Sequence, residues 1–184
     1  MEASPIPDAV MAEKAREFDR VAQEVFAPIY PVIASRLLEL SGIRRGCCLD
    51  IGCGSGHLGL AVARAFQGTV ILLDINPYAL ALAKQRIPED ARGCIQTLWG
   101  DVHALPLRDA SVDLAVSRGA IYQSMSVRNG EDFGASQEKS MYGAAPFDYA
   151  RVMEGLGLGV PRCIHEESGD WLLFRKPLEG GERP

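Results

Sequence analysis

Apolar and polar positions along the first forty residues follow a helical period. In residues 8–26, apolar residues recur every three or four positions between charged residues. A second segment with an apolar pattern runs from Val32 to Leu40. Side chains with this spacing share one face of a helix, so both segments are predicted to be amphipathic helices. Pro28 and Pro31 separate them, and Gly42 ends the second helix.

Beyond residue 43, short apolar runs alternate with helical segments. Runs of aliphatic and β-branched residues predict buried strands. Four such runs are present: CCLDIG (47–52), TVILLDI (69–75), CIQTLWGD (94–101) and SVDLAVSRG (111–119). Helical segments at 57–66 and 78–86 follow the first two. This alternation is typical of a parallel sheet covered by helices, so the predicted fold class is α/β.

The alternation stops after Gly119. Residues 123–145 are polar and aperiodic and predict a loop or mobile segment, whereas 146–157 predict a short helix. The stretch RCIHEESGDWLLFRK (162–176) predicts an antiparallel hairpin that closes the sheet. We therefore expect a single domain over 1–184, with a core at 43–122 and a helix and hairpin at 146–177.

Composition and charge narrow the range of partners. The net charge is −5 and no Lys/Arg cluster is present, which argues against a nucleic-acid partner. No apolar run reaches the about 18 residues of a membrane span, and the N-terminus lacks a secretory signal, so we expect a cytoplasmic protein. The five cysteines show no zinc-type spacing and are expected to be reduced, with no metal site.

The stretch CLDIGCGSGHLGLAVA (48–63) carries four glycines between a strand and a helix, and two cofactor classes fit it. Gly54, Gly56 and Gly59 spell G-x-G-x-x-G, with Asp74 further on, as in nicotinamide enzymes. The other spacing is Gly52, Gly54 and Gly56, with Asp50 inside the end of the strand. A carboxylate buried there suits a positively charged amino group better than a pyrophosphate, which it would repel.

Three separated stretches occur in one order: LDIGCGSGHLGLAVA, ILLDINPYALALAKQRI and LWGDVHALPLRDASVDLAVSRGAIYQS. Together they resemble the class I S-adenosylmethionine-dependent methyltransferases over about residues 46–122, especially the small-molecule, ubiquinone/menaquinone-biosynthesis-like branch. The resemblance implies a Rossmann-like three-layer sandwich, S-adenosylmethionine as cofactor and S-adenosylhomocysteine as product. It also implies that residues 1–42 form a helical lid, although plain packing explains that helix equally well.

The resemblance further implies a role for each matched position. The turn with Gly52, Gly54 and Gly56 would pass under the methionine part of the cofactor, and Asp50 would orient its ammonium group. Asp74 would accept from the ribose hydroxyls. Around the adenine and at the sheet edge, the implied contacts are Ile75, Asp101, Val102 and Ser117. Taken alone, Asp74 fits a helix cap or turn former as well.

The sequence does not identify the acceptor of the methyl group. Methyl transfer requires alignment and exclusion of water more than a strong base, so no catalytic dyad is expected. Arg118 and Tyr122 are the candidate catalytic residues, and the substrate is expected to be a small molecule. His57 is predicted to cap a helix or face solvent, and Trp99 to pack in the core.

The second half departs from the family pattern. Residues 123–160 lack the Leu-Lys-Pro-Gly-Gly-like turn and the fifth apolar strand that the family normally has. Three hypotheses follow: a small-molecule methyltransferase, a cofactor-binding sensor or accessory subunit without catalysis, and, least supported, a nicotinamide-dependent oxidoreductase. A homodimer or a partner subunit would complete the missing half.

Overall fold

The computed structural model describes residues 7–117, 162–166 and 169–173, and the chain divides into two units at 1–147 and 148–184. The first unit contains four α-helices and four strands in the described residues. In chain order these are α1 (Asp8–Val21), α2 (Tyr30–Ser41), β1 (Arg45–Ile51), α3 (His57–Ala63), β2 (Gln67–Asp74), α4 (Pro77–Arg86), β3 (Ile95–Trp99) and β4 (Leu114–Val116). A π-helical turn at Ala22–Phe26 follows α1.

The four strands form one parallel sheet in the order β3-β2-β1-β4. The predicted α/β class and parallel sheet are therefore confirmed. The chain runs outward from β1 to β3 and then returns to the other side of β1, so the direction of winding reverses between β1 and β4. Ligands of open parallel sheets bind at the carboxyl ends of the strands at such a reversal.

Strand alternation divides the core between the two faces of the sheet. Helices α2, α3 and α4 pack on one face. The core on this side includes Leu38 of α2, Val62 of α3 and Leu72 of β2, each fully buried. The other face carries Leu49, Ile51 and Leu73, covered by apolar side chains of residues 102–112. Burial of aliphatic side chains on both faces explains why these strands appear as continuous apolar runs in the sequence.

The observed strands and helices differ from the predicted ones mainly at their ends. Strand β4 spans three residues instead of the predicted 111–119, and just before it the Asp113 carboxylate accepts from the Cys47 N–H at 2.8 Å. Cys94, predicted within a strand, is exposed in the turn before β3. Helix α2 ends at Gly42, whose φ of 69° suits a residue without a Cβ.

In the second unit, strands β5 (Arg162–Glu166) and β6 (Gly169–Leu173) form an antiparallel two-stranded sheet. The antiparallel hairpin itself is thus confirmed, whereas its predicted place at the edge of the parallel sheet stays a prediction. The loop predicted at 123–145 and the helix predicted at 146–157 lie outside the described residues. The single-domain organisation, its boundaries and the missing fifth strand stay predictions.

No helix in the described ranges is both long enough and apolar enough to cross a bilayer. The cysteines at 47, 48, 53 and 94 are free thiols.

Candidate functional site

The glycine-rich turn lies between β1 and α3, at the carboxyl edge of the sheet. Gly52, Gly54 and Gly56 have φ values of 65°, 55° and 84°, which L-residues with a Cβ rarely adopt. The backbone N–H of Cys53 donates to Leu73 O on β2 at 2.9 Å, and that of Gly56 donates to Cys53 O at 2.9 Å. The chain therefore needs glycine here to fold tightly against the end of β2.

Asp50 lies beneath this turn and is almost completely buried, at 1% exposure. Its Oδ2 accepts a 2.7 Å hydrogen bond from the Gly59 N–H in the first turn of α3. Burial raises the pKa of Asp50 to about 7, the Gly59 bond acts against this, and the nearby charge of Asp74 adds to it. A cationic group beside this carboxylate would favour its ionised form.

Asp74 ends β2 and holds the turn from the other side. Its Oδ2 accepts from the Gly54 N–H at 2.7 Å, and its Oδ1 accepts from the Asn76 N–H at 2.8 Å. Burial raises the pKa of Asp74, and the backbone hydrogen bonds oppose that rise. The alternative of a turn former is partly correct, since the Asn76 bond is of that kind. The cap of α4, however, is Asn76.

The glycines differ in the space around them. A Cβ on Gly59 would collide with Leu72 and lie 2.8 Å from Asp50 Oδ2, and a Cβ on Gly56 would lie 3.0 Å from Ala83 Cβ. A Cβ on Gly54 would meet no described atom within 4 Å. Gly56 and Gly59 thus permit internal packing, whereas Gly54 borders open space beside Asp74.

Ile75 and Trp99 lie side by side at the ends of β2 and β3. Trp99 donates from Nε1 to Ile75 O at 2.9 Å and is paired in register with Asp74. The prediction that Trp99 packs in the core is wrong, because its side chain is 69% exposed. The side chain of Ile75, at 47%, is exposed as well. Both apolar groups therefore border the same edge as Asp74.

The other predicted contacts also lie at the carboxyl ends of strands. Asp101 is exposed two residues after β3 and accepts the Ala104 N–H through its main-chain oxygen at 3.0 Å. Val102 begins a short 3₁₀ turn and packs on the second core cluster. Ser117 follows β4, and its hydroxyl donates to Ile51 O on β1 at 2.8 Å. This bond joins β1 and β4 where the winding of the sheet reverses.

Two functional features escaped the sequence interpretation. Asn76 is buried; its side chain accepts from the Tyr78 and Ala79 N–H groups, and its Nδ2 donates to Met11 O at 3.0 Å. The Asn-Pro pair before α4 is a helix-start signal that would have revealed this cap. His57 neither caps α3 nor faces solvent: its Nε2 lies 3.2 Å from Asp19 Oδ1, and its ring stacks on Tyr30.

Arg118 and Tyr122, the candidate catalytic residues, lie outside the described residues. Within the described ranges, no three His, Cys, Asp or Glu side chains are grouped so that they could hold a metal ion. Burial raises the pKa of the Cys53 thiol, and the charges of Asp50 and Asp74 raise it further, so this thiol is protonated at neutral pH.

Comparison with known proteins identifies a methyltransferase domain. The model of a methyltransferase domain matches residues 48–133. A malonyl-[acyl-carrier protein] O-methyltransferase of Methylovorus sp. is 36% identical over 132 aligned residues, which cover 62% of this chain and 43% of that protein. A demethylmenaquinone methyltransferase of Shouchella clausii is 36% identical over 67 residues, 35% of this chain and 28% of that protein. The chain spans less than half of the length of these curated relatives.

Two solved structures are similar to this chain in fold. A candidate S-adenosyl-L-methionine-dependent methyltransferase from Methanococcus maripaludis superposes with a TM-score of 0.70 at 23% identity, covering 98% of this chain and 99% of that one. A TehB-like methyltransferase from Corynebacterium glutamicum has a TM-score of 0.56 at 19% identity and covers 93% and 100%. Residues 48–133 thus match a methyltransferase domain, and the described sheet and helices have the Rossmann-like fold of solved methyltransferases.

Proposed function

We propose that this protein transfers the methyl group of S-adenosylmethionine to a small molecule. The cofactor would lie along the turn Gly52–Gly56, between Asp50, Asp74 and the end of β4. One observation carries the proposal: two carboxylates flank a glycine-rich turn in which the N–H groups of Cys53, Gly54 and Gly56 bond within the protein.

The hydrogen bonds of the turn oppose a pyrophosphate ligand. Dinucleotide sites need free N–H groups aimed at the phosphate oxygens. Here the N–H groups of Cys53, Gly54 and Gly56 donate to Leu73 O, Asp74 Oδ2 and Cys53 O. A phosphate would also meet Asp50 and Asp74 as like charges. The nicotinamide hypothesis is therefore poorly supported by the geometry.

The same arrangement suits an aminoacyl-nucleoside cation. Asp50 would attract the ammonium group, directly or through water, and this pairing would favour its ionised form. Each oxygen of Asp74 accepts one short backbone bond, and the carboxylate keeps lone-pair capacity with which it would accept from the ribose. The open space at Gly54 leaves room for the ligand between these two carboxylates.

At the nucleoside end, the exposed side chain of Ile75 would pack on one face of the adenine. Asp101 would accept from the adenine amino group, and the Val102 N–H would donate to a ring nitrogen. Trp99 lies against Ile75 and would form the outer wall of this pocket. Aromatic and aliphatic side chains beside a few polar groups are usual for nucleoside sites.

When bound, the cofactor supplies a methyl group already activated by its sulfonium. The chain's own residues would then align the acceptor with this carbon and exclude water. Ser117 fixes the ends of β1 and β4 against each other, and Arg118 follows it directly in the sequence, with Tyr122 four residues further on. We propose Arg118 as the partner of an anionic substrate group and Tyr122 as a proton donor or acceptor.

The acceptor atom is proposed from the relatives alone. Malonyl-[acyl-carrier protein] O-methyltransferase and magnesium-protoporphyrin O-methyltransferase are named for methylation of oxygen. An oxygen acceptor, in a carboxylate or hydroxyl group, is therefore the first class to screen. A homodimer or partner subunit that completes the second half also stays a proposal.

Calorimetric titration with S-adenosylhomocysteine, beside an identical titration with NADH, tests the cofactor class. We expect micromolar binding of S-adenosylhomocysteine and none of NADH. Binding of NADH alone would overturn the proposal. Transfer of a labelled methyl group to a panel of carboxylates, phenols and amines then separates an enzyme from a binding protein: binding without transfer to any acceptor favours the sensor or accessory-subunit hypothesis.

A further inference from the structure

Asp19, in the last turn of α1, is the centre of a polar cluster that joins three segments of the chain. It is a buried carboxylate at 9% exposure. Its Oδ2 accepts from Arg86 Nη2 on α4 at 2.7 Å, and its Oδ1 lies 3.2 Å from His57 Nε2 on α3. The Ser55 hydroxyl, within the glycine-rich turn, also donates to it. Gln23 Nε2 adds a bond at 2.9 Å from the following turn.

The cluster keeps Asp19 ionised. Burial raises the pKa of Asp19, but the hydrogen bonds from Ser55, Arg86 and His57 outweigh that effect, so the pKa lies below its ordinary value. Only an ionised carboxylate can accept from so many donors at once. Removing its charge would leave the Arg86 guanidinium partly buried without its counter-charge, which is costly.

Two of these donors belong to the candidate cofactor site. Ser55 and His57 lie on either side of Gly56, so the Asp19 cluster fixes the turn at its junction with α3. Toward the other end of α1, Met11 O accepts from Asn76, which follows the loop at Asp74. Helix α1 is thus attached at two points: to the turn that follows β1, beyond Asp50, and to the loop that follows β2, beyond Asp74.

We infer that Asp19 is a positioning residue for cofactor binding. Through Ser55 and His57 it holds the glycine-rich turn in its binding geometry, and through α1 it couples that turn to the loop after β2. Cofactor binding and docking of α1 would therefore strengthen each other, because each requires the same arrangement of the two loops. This inference rests on the proposed function, since the ligand is its cofactor.

The variant Asp19→Asn tests this inference, with Glu17→Gln, exposed on the same helix, as the matched control. We expect Asp19→Asn to weaken S-adenosylhomocysteine binding about tenfold, within the usual range of coupling between sites. In the wild type, S-adenosylhomocysteine should also slow amide hydrogen exchange in residues 8–21. That protection should be lost in Asp19→Asn at ligand saturation and kept in Glu17→Gln.

If Asp19 had a purely structural role, the variant would behave differently. Asp19→Asn would then lower the melting temperature while the dissociation constant and the ligand-induced protection of α1 stayed as in the wild type, and this result would overturn the inference. His57→Gln, which keeps a donor near Asp19, should give a smaller loss of affinity and covers the case in which Asp19→Asn fails to fold. If the wild type itself binds no S-adenosylhomocysteine, the proposed function fails first, and this inference falls with it.

Discussion

The carboxylate of Asp50 accepts a 2.7 Å hydrogen bond from the N–H of Gly59, so that the first turn of α3 rests directly on a buried acid of β1. A Cβ at residue 59 would occupy the space of Leu72 and crowd this carboxylate. The bond therefore depends on glycine at that position. It links the packing of α3 to the ionisation of the acid beneath the turn.

Alanine at two glycines should separate folding from binding. Gly59→Ala is expected to destabilise the fold by about 1–3 kcal/mol, because the added methyl group overpacks a filled site. Gly54→Ala adds a methyl group to open space and should cost only about 1 kcal/mol from its left-handed backbone. It should nevertheless abolish measurable S-adenosylhomocysteine binding. Urea denaturation and calorimetry check the pair, and normal affinity in folded Gly54→Ala would place the ligand elsewhere.

Asp74→Ala should weaken S-adenosylhomocysteine binding by roughly 1.5–3 kcal/mol, the range for losing hydrogen bonds to a charged group. The variant loses the acceptor for the ribose hydroxyls and also releases the Gly54 N–H. Asp90→Ala, at an exposed acid in a 3₁₀ turn, is the matched control for the lost negative charge. Unchanged affinity of Asp74→Ala would remove Asp74 from the site.

The stability of the ligand-free protein should fall as pH rises from about 4 to 7. The pKa of Asp50 is raised to about 7 in the fold, so the protonated acid stabilises the native state below its unfolded pKa, and that contribution is lost as pH rises through 7. The loss is on the order of 2–4 kcal/mol for a shift of this size. Asp50→Asn should flatten the decline in urea denaturation measured at several pH values.

Part of the decline should remain in Asp50→Asn, because burial also raises the pKa of Asp74. Asp19 has the opposite effect on the pH dependence, because its pKa is lowered in the fold. Its ionised form stabilises the native state, and this stabilisation is lost only when the pH falls further. Saturating S-adenosylhomocysteine should move the decline in wild-type stability to lower pH, because the ammonium group of the ligand would pair with Asp50 and lower the pKa of Asp50. Identical pH profiles of wild type and Asp50→Asn would show that Asp50 titrates normally.

Trp99 should report cofactor binding by its fluorescence. The chain contains two tryptophans, so Trp171→Phe leaves Trp99 alone. Its exposed indole lies beside Ile75, and an adenine packed there should quench the emission or shift it to shorter wavelength. Trp99→Phe in the wild-type background should lose the response and keep most of the affinity. A response carried by Trp171 alone would argue against an adenine at Ile75.

The sequence predicted the parallel sheet and the glycine-rich turn because local patterns encode both. Apolar runs mark strands buried on two faces, and only glycine adopts the φ values at 52, 54 and 56 without strain. The family motifs supplied the expected roles of Asp50 and Asp74, and the structure brings both acids to the turn.

Contacts between distant residues could not be predicted in this way. Asp19 and His57 are separated by 38 positions, and Asp19 and Arg86 by 67, so no local period links them. Trp99 was predicted to pack in the core, yet it is the last residue of β3, an outer strand of the sheet, and it is exposed. Its partner, Ile75 O, becomes apparent only once β2 and β3 are in register.

The hydrogen bond from Gly54 to Asp74 changes how a glycine-rich motif should be interpreted. In a phosphate-binding loop, the anion that satisfies such an N–H arrives with the ligand. Here the anion is part of the chain, so the Gly54 N–H is satisfied before any ligand is present. In the proposed site, the acid at the end of the second strand would therefore act as a built-in counter-ion, and its bond to the turn would favour a cation over a phosphate.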